Sequence, residues 1–234
     1  MNLNGKRALV TGGAVRIGRA IADALAAEGV EVIVHFRTSE KEADAFWPNI
    51  IQADFDDPTQ CETLIERAAE EFGPIDLLIN NAAVFHQARL ADADHKAVMN
   101  ELQPNLLAPL ALIRGFAQQN REGKIINLLD RRITALDTGY VPYMLSKKGL
   151  EELTRLAALE LAPRITVNAV APGAVLPPPD KTGDTAWEPA GTIPLNRRPA
   201  PEDVADAVIY LLKSDVITGQ TLFIDGGQNL LGTD

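Results

Sequence analysis

Among its 234 residues this chain has one cysteine, three histidines and only three serines. Cys61 by itself excludes an intrachain disulfide and a cysteine-rich metal centre, and its place in an expected helix suits a small core residue. His35, His86 and His95 lack metal-ligand spacing and read as structural or surface residues, so no metal is expected. Positive charge is also short. The 22 Lys and Arg stand against 32 Asp and Glu, a formal net charge of −10, which argues against nucleic acid and anionic membranes as partners. No window approaches the ~20 apolar residues of a membrane span. The start, M-N-L-N-G-K-R-A-L-V, has no signal-peptide apolar region, so a soluble cytoplasmic protein is expected.

What is present is a core and a rhythm. Hydrophobic residues make up 46% of the chain, enough to exclude disorder, and the length suits one domain over residues 1–234. Arg7 to Thr11 reads as a buried strand, followed by glycines and a helix marked by Ile17, Ile21 and Leu25 and closed by Gly29. Further strands are expected at 31–37, 50–54, 75–80, 124–129, 164–170 and 221–225. Helices are expected from Ser39, from Asp57-Pro58, over most of 92–119, over 140–161 and over 201–212. Such alternation predicts an α/β fold: a doubly wound, Rossmann-type sheet of about seven mostly parallel strands with helices on both faces. One segment breaks the pattern. Eight of the fifteen prolines lie between Pro172 and Pro201, so residues 173–200 are expected to form a substrate lid anchored by Leu176, Trp187, Ile193 and Leu195.

In a doubly wound sheet, ligands lie at the carboxyl ends of the strands, and the chemistry-bearing residues fall there. The turn T-G-G-A-V-R-I-G, with Gly12, Arg16, Ile17 and Gly18, lets backbone N–H groups approach a pyrophosphate over a helix N-terminus. Strand two ends in His35-Phe36-Arg37-Thr38-Ser39, without the carboxylate that would hold a ribose 2′-hydroxyl. Arg37, the hydroxyls of Thr38 and Ser39, and Arg16 suit a 2′-phosphate, which favours NADPH over NADH. Asp54, Asn81-Ala82 and Pro172-Gly173 follow strands three, four and six at the same edge. Farther on stands Tyr143-x-x-x-Lys147, which on a helix places phenol and ammonium on one face. A nearby cation is expected to lower the phenol's pKa and make it a usable acid or base.

Taken together, T-G-x-x-x-R-I-G (11–18), N-N-A (80–82), Asn105, Tyr143-x-x-x-Lys147, Pro172-Gly173 and D-G-G (225–227) resemble the short-chain dehydrogenase/reductase family over essentially the whole chain. The resemblance implies a structural and proton-relay role for Asn105 and proton transfer by Tyr143. It also implies nicotinamide-ribose binding by Lys147, an adenine contact at Asp54 and a homotetramer or homodimer. Two departures narrow it. Arg16 stands at the family's middle glycine, and Asp130 stands where the family usually has a serine thirteen residues before the tyrosine. None of Ser39, Ser146 and Ser214 can replace that serine. A carboxylate there repels a developing oxyanion, so it suits a substrate with ring N–H and amino donors better than a ketone.

That pattern resembles the pteridine reductase branch, which includes dihydromonapterin and dihydrofolate reductases. The branch implies an aromatic after N-N-A stacked on the pterin, here Phe85, and Trp187 could close the far side. Ala83 and Leu145 depart from the branch, Ala83 from a common serine and Leu145 from a small residue. Asp92, Asp94 and Glu101 read as a solvated helix face. Alternatives are a carbonyl reductase of the same family acting on ketones or quinones, and an idle NADP(H)-binding redox sensor. For cofactor choice, Arg37→Ala is expected to weaken NADPH binding far more than NADH binding in a fluorescence titration; equal weakening would contradict the phosphate contact.

Overall fold

The protein is described by a computed structural model covering residues 1–177 and 192–231. Seven strands form one sheet: β1 (Arg7–Val10), β2 (Glu31–Phe36), β3 (Ile50–Gln52), β4 (Leu77–Asn80), β5 (Gly123–Leu128), β6 (Ile165–Pro172) and β7 (Thr221–Ile224). Their spatial order is β3-β2-β1-β4-β5-β6-β7, and every pairing is parallel, where the sequence had allowed a mixture. The order reverses between β1 and β4, which opens a crevice beyond their carboxyl ends.

Strand residues alternate between two cores, as a period of two requires. Ala8 and Val10 of β1, Leu77 and Ile79 of β4, and Ile126 and Leu128 of β5 face one cluster. That side is covered by α1 (Arg16–Ala27) and α7 (Pro201–Lys213), through Ile21, Leu25, Val204 and Val208. Leu9, Ile33, Leu78 and Ile125 face the other cluster, packed under α3 (Pro58–Phe72) and α5 (Ala108–Gln118) by Leu64, Ile65, Leu112 and Phe116. Cys61 lies in α3 and is buried, a core residue as expected, and burial pushes its thiol up to about 11. The remaining helices are α2 (Glu40–Asp44), α4 (His95–Leu102) and α6 (Val141–Leu161).

The stretch 92–119 is mostly helical, as expected, but not one helix: α4 runs into a π-helical turn at Gln103–Leu107 before α5 begins. In such a turn one extra residue is accommodated and every following side chain is rotated, so a single helical period cannot describe the stretch. Leu195, expected as an apolar anchor, is 76% exposed. Leu176 does pack against the core, and Ile193 lies against Gly226. Trp187, and the part of the expected lid from 178 to 191, lie outside the described residues. Among the described residues no helix is long and apolar enough to cross a membrane, and no cluster of side chains could hold a metal.

Leu78 is fully buried in the lower core and Val216 is 94% exposed. Leu78→Ala should therefore cost about 3 kcal/mol in denaturant unfolding, and Val216→Ala within about 0.5 kcal/mol.

Candidate active site

Two loops are stitched together where the sheet reverses. The Thr11 hydroxyl accepts from the backbone N–H groups of Asn81 (2.9 Å) and Ala82 (3.0 Å). The Asn81 amide returns two bonds, to the carbonyls of Thr11 (2.8 Å) and Gly12 (3.1 Å). The N-N-A motif thus holds the glycine turn against the end of β4. Gly12 has φ +61°, and a Cβ on Gly18 would lie 2.1 Å from the Gly12 carbonyl oxygen. Only glycine lets helix α1 approach that closely. Arg16 sits at φ +57°, the left-handed region that favours glycine, which explains why a glycine is usual at its position. Beneath the turn the buried His35 accepts from the Gly12 N–H through Nδ1 (3.1 Å) and stacks on Phe55. Burial lowers its pKa to about 4, so it stays neutral and can accept.

Above this turn lies a cleft of about 320 Å³. Its walls are Gly12, Arg16, Ile17 and Gly18 of the turn, Arg37, Thr38 and Ser39 after β2, and Asn81-Ala82 after β4. Nine predicted cofactor residues therefore meet at one place. Arg37 is half-exposed and already pairs with Asp54 (3.4 Å) and Asp56 (3.1 Å). Asp54 also accepts from the Asp56 N–H. The Arg16 guanidinium donates to the Pro177 carbonyl at 2.6 Å, where the proline-rich segment leaves β6. Pro172 ends β6, and a Cβ on Gly173 would lie 2.9 Å from Asp225, whose carboxylate caps the D-G-G turn through the N–H groups of Gly227 and Asn229. Gly173 and the D-G-G turn are thus a packing pair, which aligns the end of β6 with the site.

The candidate acid–base group stands just after β5. The Asp130 carboxylate divides between two partners. Its Oδ1 accepts from the Arg132 N–H (2.8 Å), capping the short 3-10 helix Arg131–Thr134, and its Oδ2 accepts from the Tyr143 hydroxyl (2.8 Å). Lys147, one turn farther along α6, donates to the Leu128 carbonyl (2.8 Å) and is buried. Burial lowers its pKa to about 8, while the charges of Asp130 and Glu101 push it up. Tyr143 reverses the sequence expectation. Its pKa is raised well above the ordinary value, by burial first and then by the Asp130 charge and hydrogen bond. The cation that opposes this rise is Arg132, and its effect is smaller than that of burial and of Asp130. Tyr143 is thus a protonated donor.

Asn105 lies in the π turn and clamps three elements. Its oxygen accepts from the Val84 N–H (2.9 Å), and its amide donates toward the Val84 carbonyl (3.0 Å), Glu101 (2.9 Å) and Ser146 (3.2 Å). Glu101 is not on a solvated face, as expected, but 1% exposed. Its other oxygen accepts from the backbone N–H of His86 (2.8 Å) and meets His86 Nδ1 (2.7 Å). A buried carboxylate needs such partners. No spacing signal in the sequence revealed it. Asp92 and Asp94 are exposed as expected, and Asp94 caps α4.

Aromatic residues complete the wall. Phe85 stacks on Tyr140 (4.5 Å, 11°) and meets Tyr143 edge-on (4.6 Å, 82°). Tyr140, three residues before Tyr143, was not singled out from the sequence. The loop carrying Phe85 is pinned there by bonds from the Ala88 N–H to the Gly139 carbonyl and from the Val141 N–H to the Ala88 carbonyl.

Residues 13–229 match the sequence profile of a family described as Enoyl-(Acyl carrier protein) reductase, of the short-chain dehydrogenase/reductase type. Pteridine reductase 1 of Leishmania tarentolae is 32% identical, with 95% of this chain and 96% of that protein covered. The 3-oxoacyl-(acyl-carrier-protein) reductase FabG of Staphylococcus aureus is 36% identical over 95% and 97%. Among solved structures, FolM alternative dihydrofolate reductase 1 from Brucella canis, complexed with NADP, superposes with a TM-score of 0.88 at 32% identity, covering 98% of this chain and 96% of that one.

The burial of Glu101 generates a pH test. The charges around Lys147 are Asp130 and Glu101, and His86 faces Glu101 from outside. Glu101→Gln removes one upward push, so Lys147 should lose its proton at lower pH. The alkaline limb of the kcat/KM profile should move to the acid side, with about a threefold loss at pH 9 relative to pH 7. An unmoved limb would assign Glu101 a structural role only.

Proposed function

The chain belongs to the short-chain dehydrogenase/reductase family as an NADP-dependent oxidoreductase, and we propose that it reduces a C=N bond in a pterin or dihydrofolate-like substrate. One observation carries the choice of substrate: the Asp130 carboxylate lies 2.8 Å from the phenol that would transfer the proton. A hydroxyl at that position donates to a carbonyl oxygen as it becomes an alkoxide; a carboxylate repels it. The same carboxylate accepts from ring N–H and amino donors, the hydrogen-bonding edge of a reduced pterin.

NADPH, when bound, supplies the hydride. Its fit rests on the bare glycine turn, where a Cβ at Gly18 would collide with backbone, and on cations at Arg16 and Arg37 in place of an acid after β2. Gly12, Ile17, Gly18, Asn81 and Ala82 hold the pyrophosphate side. Thr38 and Ser39 with the two arginines hold the 2′-phosphate, Asp54 the adenine side, and Pro172-Gly173 the nicotinamide side. Lys147 and Tyr143 hold the ribose. Tyr143 gives its proton to the ring nitrogen, and Asp130 orients the donors of the substrate and keeps the phenol protonated until it does so. Phe85 packs beside the ring. Asn105 keeps α4, α6 and the loop after β4 in register. The leucines exposed on α5 and α6, among them Leu110, Leu156 and Leu159, support assembly into a homotetramer or homodimer.

A carbonyl reductase is the second reading, favoured by the 36% identity to FabG. An NADPH-oxidation screen separates the two. Dihydropterins or dihydrofolate should be turned over, and activity on ketones alone would overturn the proposal. Within the screen, Asp130→Ser should lower pterin kcat/KM by on the order of a hundredfold while cofactor binding stays near wild type; unchanged turnover would remove Asp130 from the chemistry.

A further inference from the structure

The wall beside Tyr143 holds a cation that the described residues leave without an ion pair. Arg132 lies two residues after Asp130, and its guanidinium carbon is 5.1 Å from the Phe85 ring centre and 5.2 Å from that of Tyr140. The two rings hold it in place by cation–π attraction. Among the described residues its side chain has no hydrogen-bond or ion-pair partner, and Nη1 is buried without one. Asp130, the nearest acid in sequence, makes no ion pair with it: that carboxylate accepts from the Arg132 backbone N–H and from the Tyr143 hydroxyl. Most structural arginines of this chain are spent: Arg7 on Glu31, Arg19 on Asp23, Arg121 on Asp76 and Arg197 on Asp203.

A guanidinium offers five N–H donors in a planar fork that matches a carboxylate in two-point contact. One fixed by aromatic faces has lost its freedom before any ligand arrives, so binding costs less ordering. The surroundings define what such a ligand must look like. Phe85 touches both Tyr143 and Arg132, so a molecule with its reacting ring at Tyr143 and an extension along Phe85 brings that extension to the cation. Phe85 is 41% exposed, leaving apolar surface for an aromatic linker. In a chain with a net charge of −10, an unpaired cation at this spot draws anionic substrates to one place.

We propose that Arg132 is the receptor for a carboxylate at the far end of the substrate. The site thereby selects pterins with an acidic aryl-amide tail, the dihydrofolate class, over pterins with a neutral side chain. The inference rests on the pterin reading of Asp130 and deepens it.

The test compares dihydrofolate with dihydrobiopterin, which lacks the acidic tail, on the full chain with saturating NADPH. The quantity read is the ratio of kcat/KM values for the two substrates, so a loss common to both cancels. In Arg132→Met that ratio should fall about tenfold, through KM for dihydrofolate, whereas Arg132→Lys should retain part of it. p-Aminobenzoyl-glutamate, the tail alone, should bind the wild type more tightly than Arg132→Met in calorimetry, with thermal melts confirming that the variant folds. An unchanged ratio, or equal binding of the tail, would overturn the carboxylate receptor while leaving the pterin reading intact. Wild-type protein that turns over neither pterin would overturn that reading, and this inference with it.

Discussion

A single carboxylate links the fold to the chemistry. Asp130 ends the approach from β5, and one of its oxygens must satisfy the first free N–H of the following 3-10 helix. That commitment fixes the side chain, so its second oxygen can only point at Tyr143 on α6. A cap that any helix start could use thus becomes a charge beside a buried phenol. Burial first, and this charge and hydrogen bond after it, raise the phenol's pKa and hold it protonated.

The rest of the site is kept in position by bonds between strand ends. Thr11 and Asn81 tie the glycine turn to the end of β4, His35 supports the turn from below, and Gly173 packs against Asp225 to set the end of β6. Each contact joins residues far apart in the chain through backbone groups that sheet pairing leaves free. Residues that look conventional in sequence are thereby stabilising a crevice where the strand order reverses. Their loss would loosen the crevice before it touched any reacting atom.

Around the phenol the electrostatics are set by groups from four elements. Lys147 and Tyr143 come from α6, Asp130 from the end of β5, Glu101 from α4 and Arg132 from the 3-10 helix. Burial opposes charge on both Lys147 and Tyr143, which lowers one pKa and raises the other. The lysine remains a cation below about pH 8 because two acids support it. Charge on this site is therefore a property of the packed elements, since the Tyr-x-x-x-Lys spacing alone suggested the opposite shift for tyrosine.

Much was legible in the residues themselves. The seven strands and the alternation with helices followed from apolar periodicity, because a buried strand and an amphipathic helix each leave a repeat that neighbours in sequence must obey. Glycine turns were legible because backbone conformation is a local matter, and Asp130 stood out because its type departs from a familiar pattern. Four things were not legible: the inward turn of Glu101, the stacking of Phe85 on Tyr140, the pairing of Arg37 with Asp54 and Asp56, and an Arg132 that the described residues leave without an ion pair. All four depend on which residues distant in the chain become neighbours. The sequence by itself determined the sheet, the glycine turn and which side chains are candidates for the chemistry. Only the tertiary structure decided their protonation and their partners, because desolvation and charge act through space between elements and leave no mark on local spacing.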